Sequence, residues 1–308
     1  MKLTNEIVKD VAVKTGFDLA GFTEADELSG ETEKLQAWLD KGYNAGMAYM
    51  ERNVEKRRDI RNILPGAKSV ISLALNYYTD LEHSNNPDLG KVSRYAWGTD
   101  YHYIMWEKLD RFLKELKDID PEFEAVSYVD TGPVMDKAWA SRAGLGWIGK
   151  HSNLITREFG SWVFLATVIT NYEFSNSGLV SDHCGSCTRC MEACPTNAIT
   201  VEYVIDANRC ISYLTIENKG EVGIEFEGKL EGWLFGCDIC QEVCPWNIKF
   251  PKLTKEEKFH PEDGHMELNL DEVASMENGE FKKRFFRSPI SRAKLKGLKR
   301  NADFLKKH

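Results

Sequence analysis

Residues 184–195 read CGSCTRCMEACP, with four cysteines spaced by two, two and three residues and a proline directly after the last. Residues 237–245 (CDICQEVCP) repeat the end of this pattern. Cys210 is the one further cysteine, so all eight lie between residues 184 and 244. Such clustering indicates a compact module that binds metal. It argues against four disulfides, because the start of the chain lacks a secretory signal.

The spacing of the first stretch fits the C-x2-C-x2-C-x3-C-P run of bacterial ferredoxins, whose fourth cysteine ligates a second cluster. The second stretch lacks one closely spaced cysteine, and Cys210 is the residue left to supply it. We predict two [4Fe–4S] clusters, with cluster 1 on Cys184, Cys187, Cys190 and Cys244, and cluster 2 on Cys194, Cys210, Cys237 and Cys240. Zinc, the alternative, would favour paired C-x2-C knuckles.

Composition suits one large or two ordinary globular domains, with 308 residues of which 42% are hydrophobic and 29% charged. No apolar run approaches the ~20 residues of a membrane span. The N-terminal residues lack the apolar segment and cleavage site of a signal peptide. We therefore expect a cytoplasmic protein with no membrane partner.

Charge is distributed unevenly along the chain. Residues 281–308 carry eleven Lys or Arg and one acid, Asp303, whereas the whole chain has a net charge of −8. A basic segment on an acidic body indicates an anionic partner such as nucleic acid. A solvated basic helix is the alternative interpretation of the same residues.

The first 183 residues alternate between helical and strand patterns. Residues 67–78 (AKSVISLALNYY) are the clearest buried strand, and residues 100–117 form an amphipathic helix with Asp100 as its N-cap. Further helices are predicted at 4–15, 32–42 and 134–143, and further strands at 18–23, 123–129 and 161–171. The pattern predicts an α+β protein whose N-terminal part is an α/β domain.

Residues 144–149 (GLGWIG) match the G-x-G-x-x-G pattern of dinucleotide-binding loops. Such a loop needs a strand before its first glycine and a helix after its last. Here the preceding residues have a helical pattern and the following residues a strand pattern, which predicts Gly144 at a helix C-terminus. We therefore reject dinucleotide binding and expect a tight turn whose backbone closely approaches another group.

Several motifs, in order, resemble the epoxyqueuosine reductase family, and the similarity spans essentially the whole chain. They are EKR (55–57), LPGAKSVISLALNY (64–77), RYAWGTDYH (94–102), VDTGP (129–133), AGLGWIGKHSNLI (143–155), CGSCTRCMEACPTNAI (184–199), RCISYLT (209–215), GCD (236–238) and RNADFL (300–305).

This resemblance implies a cobalamin-dependent enzyme that reduces the epoxide of epoxyqueuosine at the wobble position of tRNA, the last step of queuosine synthesis. It implies a cobalamin-binding catalytic domain akin to that of reductive dehalogenases at 1–175 and a ferredoxin-like domain with two clusters at 176–250. A helical segment with the basic tail would occupy 251–308. Many members continue into HEAT-type repeats. This sequence stops before any, so we expect tRNA contacts within these segments, and an external low-potential electron donor.

The family's general acid matches Asp130, which the resemblance makes the proton donor to the departing epoxide oxygen. The alternative is that Asp130 caps the helix that follows it. Positions matching family cobalamin contacts are Arg57, Ser93, Asp130, Leu154, Leu165, Ser212 and Asp238, although some members have cysteine in place of Ser93. Residues 150–154 are expected beside the corrin.

An axial histidine for cobalt is not predicted. Asp100 and His102 begin the D-x-H-x-x-G cobalamin motif, but the glycine is absent and the segment has a helical pattern. We therefore expect cobalamin in its base-off form without a protein ligand on its lower face.

Two other functions compete with this one. An enzyme of the same architecture could reduce a small molecule such as a halogenated compound, a reading against which the basic tail argues. A pure electron carrier would leave the first 180 residues without a role.

Overall fold

The strand predicted at 67–78 lies at the centre of the largest sheet. The computed structural model describes residues 2–262 and 264–307. Three residues lie outside the described ones: Met1, Asp263 and His308. Met1 belongs to the predicted segment 1–175. Asp263 and His308 belong to the predicted segment 251–308, and His308 also ends the basic tail.

The described residues form helices α1 (Asn5–Lys14), α2 (Ser29–Asp40), α3 (Val54–Arg58), α4 (Tyr101–Ile119), α5 (Asp136–Arg142), α6 (Arg189–Glu192), α7 (Ile239–Glu242), α8 (Pro245–Lys249), α9 (Leu270–Ser275), α10 (Asn278–Arg284) and α11 (Lys294–Lys307). Their strands are β1 (Leu19–Glu24), β2 (Ser69–Asn76), β3 (Leu89–Val92), β4 (Ala125–Tyr128), β5 (Trp147–Ile148), β6 (Leu154–Ile155), β7 (Val163–Thr170), β8 (Ile199–Val201), β9 (Val204–Ile205), β10 (Trp233–Phe235) and β11 (Glu267–Asn269).

Strands β1, β2, β7 and β4 form the largest sheet in that order, and every neighbouring pair is antiparallel. The predicted α+β class is confirmed, but the prediction of an α/β domain is wrong for this sheet. The reason lies in the connections. The segment between β1 and β2 leaves and returns at the same end of the sheet, so it is not the crossover that a parallel pair requires.

Helices cover both faces of this sheet. Helices α1 and α4 pack on one face, where α4 buries Ile104, Met105, Leu109, Phe112 and Leu116 at helical spacing. Helix α5 packs on the other face through Trp139, against Val70 and Ile169. Strand β2 is buried along its whole length, as its continuous apolar sequence predicts.

A second sheet takes one strand from each of the three predicted segments. Strand β3 pairs in parallel with β10 and antiparallel with β11. Gly90 in β3 allows close packing, since a Cβ there would lie 2.6 Å from Cβ of Leu234. Side chains of the C-terminal helices pack on this sheet, among them Phe281, Phe285 and Leu298. The N-terminal residues, the cysteine-rich segment and the C-terminus therefore share one core.

The glycine-rich stretch closes a hairpin. Helix α5 ends just before Gly144, whose φ is +76°, and β5 pairs with β6 across the turn. A Cβ on Gly146 would lie 2.0 Å from the carbonyl oxygen of Ile155. The predicted helix before and strand after the glycines are confirmed, and the glycines serve close backbone packing.

The basic C-terminal segment is helical and folded onto the protein. Arg300 donates to the carbonyl oxygens of Leu214, Asn218 and Gly220 at 2.6–2.7 Å, and Arg292 donates to Glu217. Exposed lysines such as Lys282 and Lys283 lie on its outer surface. No helix among the described residues is long and apolar enough to cross a membrane.

Candidate active site and cluster-binding module

The four cysteines predicted for cluster 1 lie around one cavity of about 370 Å³. Burial and the neighbouring thiols raise the pKa of Cys190 to about 11. Three cations, Lys150, Arg189 and Lys249, also line the cavity, and no carboxylate of the described residues does. The described residues hold no group of His, Cys, Asp or Glu arranged for a single metal ion; these thiols instead surround a space.

The four cysteines predicted for cluster 2 also lie near one another. Burial raises the pKa of Cys240 well above its usual value, and the charges of Cys210 and Cys194 add to the rise. Burial, together with the charge of Cys240, also raises the pKa of Cys237. The charge of Cys190 contributes to the raised pKa of Cys240, so the cysteines of cluster 1 and those of cluster 2 are close to one another. None of the eight cysteines forms a disulfide in this structure.

Ser212 lies two residues after Cys210, at the start of a single π-helical turn over Tyr213–Glu217. The backbone N–H groups of Ser212 and Tyr213, and the Ser212 hydroxyl, point at the Cys210 sulfur and oppose the burial that raises the pKa of this thiol. The π-turn therefore presents donors to a thiolate at this position.

Asp130 occupies a strained turn at the end of β4. Its φ is +57°, and the N–H of Thr131 donates to the carbonyl oxygen of Val129 across it at 2.5 Å. The side chain is exposed, and its Oδ2 accepts a hydrogen bond of 2.9 Å from the Tyr101 hydroxyl. The alternative role as a helix cap is wrong, because α5 begins at Asp136 and its N-cap is Met135.

Two residues that sequence reasoning missed, Asp136 and Lys137, begin helix α5 beside this turn. Desolvation by nearby protein atoms raises the pKa of Asp136 to about 7 and lowers that of Lys137. The charges of Asp130, Cys240 and Cys210 also act on Lys137. Lys137 is therefore a cation between the candidate acid and the second group of cysteines, although its side chain is open to solvent. An Asp-Lys pair at a helix start is too common in sequences to have been singled out.

Asp136 predicts a pH-dependent stability. Folding favours its protonated form, so the carboxyl costs nothing at low pH and becomes a growing cost as pH rises from 3.8 to about 7. Asp136→Asn keeps an acceptor for the 2.6 Å bond from the Thr167 hydroxyl. We expect this variant to raise the melting temperature at pH 8 and much less at pH 4.5. Asp110→Asn on the exposed side of α4 is the control; equal effects of Asp136→Asn at both pH values would contradict the prediction.

Ser93 and Asp238 are bonded to each other. The Ser93 hydroxyl donates to Oδ1 of Asp238 at 2.6 Å, and the N–H of Arg94 donates to Oδ2 at 2.6 Å. Burial raises the pKa of Asp238 while these bonds oppose the rise. The two side chains are buried, with exposed fractions of 3% and 1%. Their hydrogen bond joins the end of strand β3 to the segment that carries Cys237 and Cys240. Tyr95, next along the chain, links them to Tyr101 and so to Asp130.

The remaining predicted contacts fall into two groups. Leu154 and Leu165 belong to one apolar cluster with Ala74, Ala140 and Leu145. Arg57 is buried, its pKa is lowered by burial, and its guanidinium lies 3.4–3.5 Å from the carbonyl oxygens of Tyr49, Arg52 and Val134.

The contacts of His102 are with its neighbours at the start of helix α4. Its Nδ1 lies 2.8 Å from Oδ1 of Asp100, the N-cap of helix α4 as predicted, and its ring stacks on Tyr101. It remains unassigned as a cobalt ligand.

The turn between β5 and β6 lies between Lys137 and the cluster 1 cavity. On one side Lys137 donates to the carbonyl oxygen of Ser152 at 2.9 Å and to Oδ1 of Asn153 at 3.1 Å. On the other side Lys150 and His151 line the cluster 1 cavity. Burial, with the charge of Lys137, lowers the pKa of His151 to about 4.

Comparison with known proteins identifies the family. Residues 57–131 match the family model described as "Epoxyqueuosine reductase QueG, DUF1730", and residues 183–247 match the "4Fe-4S double cluster binding domain". Over 281 residues the chain is 46% identical to the epoxyqueuosine reductase of Synechocystis, covering 91% of this chain and 96% of that one. The chain belongs to the epoxyqueuosine reductase family. As a member it is an oxidoreductase, and it carries a 4Fe-4S double cluster domain.

Solved structures of epoxyqueuosine reductases share this fold. One, with an epoxyqueuosine-modified tRNA-Tyr stem loop, superposes with a TM-score of 0.91 at 36% identity, covering 97% of this chain and 80% of that one. The Bacillus subtilis enzyme, with its aspartate-bearing catalytic loop swung out of the active site, has a TM-score of 0.90 at 34% identity and the same coverages. A reductive dehalogenase aligns with a TM-score of only 0.46 and supports no argument.

Proposed function

We propose that this epoxyqueuosine reductase binds cobalamin between Asp130 and the second cysteine group, and reduces the epoxide of epoxyqueuosine at the wobble position of tRNA to the alkene of queuosine. The observation that carries the proposal is the position of Asp130. It lies exposed on a strained turn, close enough to Lys137 for its charge to affect the pKa of that ammonium group. The charges of Cys210 and Cys240 affect the same pKa, so Lys137 is near the second cysteine group as well.

The residues present fit a corrinoid. Leu154 and Leu165 offer an apolar wall, Ser212 lies on the turn that follows Cys210, and Asp130 is open to solvent. Ser93 and Asp238 already form a hydrogen bond with each other, so they could contact the corrinoid only through the remaining surface of their side chains. Arg57 could contact it only beside the carbonyl groups that surround its guanidinium. Cobalamin, when bound, would supply a cobalt centre able to act as a strong nucleophile in its reduced state.

The chain's own residues then have distinct roles. Asp130 would give a proton to the oxygen that leaves the epoxide, and the Tyr101 hydroxyl orients its carboxyl group. Lys137 would stabilise negative charge that develops on this oxygen. The two predicted cluster sites adjoin, the first around the cavity and the second near Lys137, and clusters held by these cysteines would supply single electrons received from an external donor.

The C-terminal surface offers contacts for RNA. Arg287 lies 5.0 Å from the ring centroid of Tyr103 and 5.6 Å from that of Phe286, and Phe286 is strongly exposed. Aromatic rings and guanidinium groups stack on unpaired bases, while lysines bind phosphates. A tRNA stem loop is bound in the structure of the related enzyme, which supports the same partner here.

Reconstitution tests the function directly. The protein is loaded anaerobically with iron, sulfide and cobalamin, and incubated with epoxyqueuosine-containing tRNA and a strong reductant. We expect queuosine in the digested tRNA, measured by mass spectrometry. A fully loaded protein that yields no alkene product would refute the proposal, and a loaded protein that instead dehalogenates a small molecule would favour the competing function.

Point substitutions, not truncation, test the basic segment, because residues 281–308 contribute Phe285, Ile290 and Leu298 to the core. We expect Lys282→Gln with Lys283→Gln to weaken binding of the tRNA stem loop. The slope of log K against log salt should become shallower by up to about 1.8, since each phosphate contact contributes about 0.9. Lys34→Gln with Lys117→Gln, on exposed positions elsewhere, is the control. Unchanged affinity and slope would exclude these two lysines from the interface.

A further inference from the structure

His151 is a buried imidazole with one ring nitrogen left without a partner. The residue is 2% exposed, and its Nε2 has no hydrogen-bond partner among the described residues. Leaving such a group unpaired in the interior is unfavourable, because its hydrogen bonds to water are lost and not replaced. The position therefore needs an explanation that the fold alone does not provide.

The other ring nitrogen determines where the proton is. Nδ1 of His151 accepts a hydrogen bond of 3.2 Å from the backbone N–H of Asn153. A nitrogen that accepts carries no proton, so in the neutral ring the hydrogen lies on Nε2. The unpartnered atom is thus an N–H donor without an acceptor.

The surroundings of His151 indicate which acceptor is intended. The residue lines the same cavity as Cys184, Cys187, Cys190 and Cys244. No cysteine sulfur of the described residues is within bonding distance of Nε2, although sulfur acceptors reach further than oxygen. The acceptor is then something that fills the cavity, and an iron–sulfur cluster on these four cysteines would bring bridging sulfides of its own.

The turn that carries His151 is built to hold it in place. Gly149 leaves room for the ring, since a Cβ there would lie 3.2 Å from its Cε1. Lys150 donates to the carbonyl oxygen of Gly185, inside the first cysteine run, at 2.7 Å. The indole N–H of Trp147, in the same hairpin, is buried and also has no hydrogen-bond partner of acceptable geometry. It lies near Cys184 and opposes the burial that raises the pKa of this thiol. The hairpin that the glycines close is therefore fastened to the cluster 1 site.

We propose that His151 is a tuning residue of cluster 1, donating its Nε2–H to a bridging sulfide and thereby raising the reduction potential of that cluster. This inference rests on the proposed function only in that cluster 1 is a [4Fe–4S] cluster on these four cysteines. Hydrogen bonds to cluster sulfurs stabilise the more negatively charged, reduced state. Cluster 1 would then accept an electron from a donor more readily than its cysteine ligands alone allow.

Redox titration of the iron-loaded protein tests the energetic part, and it requires neither cobalamin nor tRNA. We expect His151→Leu to lower the equilibrium constant for reduction of one of the two clusters about tenfold, which is about 59 mV for one electron, and to leave the other unchanged. His151→Gln, which retains an N–H donor, should recover part of this shift. His183→Leu, at the exposed histidine of the same cavity whose Nε2 lies 3.1 Å from Arg157, is the control.

A second measurement detects the bond itself. In protein labelled with ¹⁵N-histidine, pulsed EPR of the reduced cluster should show a weak nitrogen coupling in the wild type and in His183→Leu, but none in His151→Leu. If His151→Leu fails to assemble cluster 1, the wild-type spectrum still decides. Absence of any histidine coupling there, its persistence in an assembled His151→Leu protein, or unshifted potentials would overturn the proposal. The proposed epoxide reduction would stand in each case.

Discussion

Asp130→Asn is expected to lower the rate of epoxide reduction by about 10²–10⁴-fold, the usual contribution of a positioned general acid. The amide has nearly the shape of the carboxyl and can still accept the bond from Tyr101, but it has no proton to give. Single-turnover assays with reduced, cobalamin-loaded protein measure this step without interference from electron supply. Iron and cobalt contents should equal those of the wild type.

Two comparisons separate proton donation from support of the turn. Tyr101→Phe removes the 2.9 Å bond to Asp130 and should cost much less than loss of the carboxyl, because the acid itself remains. Asp110→Asn on the outer side of α4 should have no effect. A rate for Asp130→Asn near that of the wild type would remove the proton-donor role and leave the strained turn at residue 130 without a function.

Replacing the last cysteine of each run by alanine is expected to abolish multiple turnover and to identify which cluster that cysteine holds. Cys244→Ala should remove cluster 1, and Cys194→Ala should remove cluster 2, because the ferredoxin pattern exchanges these ligands between the two sites. Each variant should retain about four of about eight irons. Under the proposed function, loss of either cluster would interrupt the supply of electrons from the external donor.

Spectroscopy distinguishes the two variants. The cluster that remains in Cys244→Ala should lie beside Lys137, and its potential should respond to Lys137→Met; the cluster that remains in Cys194→Ala should respond to His151→Leu. Thr188→Ala, which leaves every cysteine in place within the same run, is the control. If both cysteine variants retained the same cluster, the exchanged arrangement would be wrong.

Local patterns in the sequence were sufficient for much of the fold. The strand at 67–78 and the helix at 100–117 are found as Ser69–Asn76 and Tyr101–Ile119, because long apolar periodicity dominates other preferences there. The direction of the strands was not predictable in this way. It depends on which end of the sheet each connection returns to, and neither composition nor periodicity records this.

The second sheet shows the same limit more clearly. Strand β3 has four residues and β10 and β11 three each, and their partners are remote in sequence. For the site, cysteine spacing and family resemblance indicated the cysteines and Asp130. They did not indicate Lys137 or His151, whose significance comes from burial and from neighbours that only the folded chain supplies.

The bracing of Asp238 has a consequence for how electrons reach the substrate. This residue stands between Cys237 and Cys240, and its two carboxylate oxygens accept hydrogen bonds from Ser93 and Arg94, which directly follow strand β3. Electron-tunnelling rates fall exponentially with distance. A fluctuating distance between the second cysteine group and the substrate would therefore make the rate of electron transfer vary. Here two short hydrogen bonds, and the pairing of β10 with β3, hold the segment that carries Cys237 and Cys240 to the N-terminal residues. We therefore expect no large swing of one module against the other during turnover, and timing that depends on the donor and on the arrival of RNA.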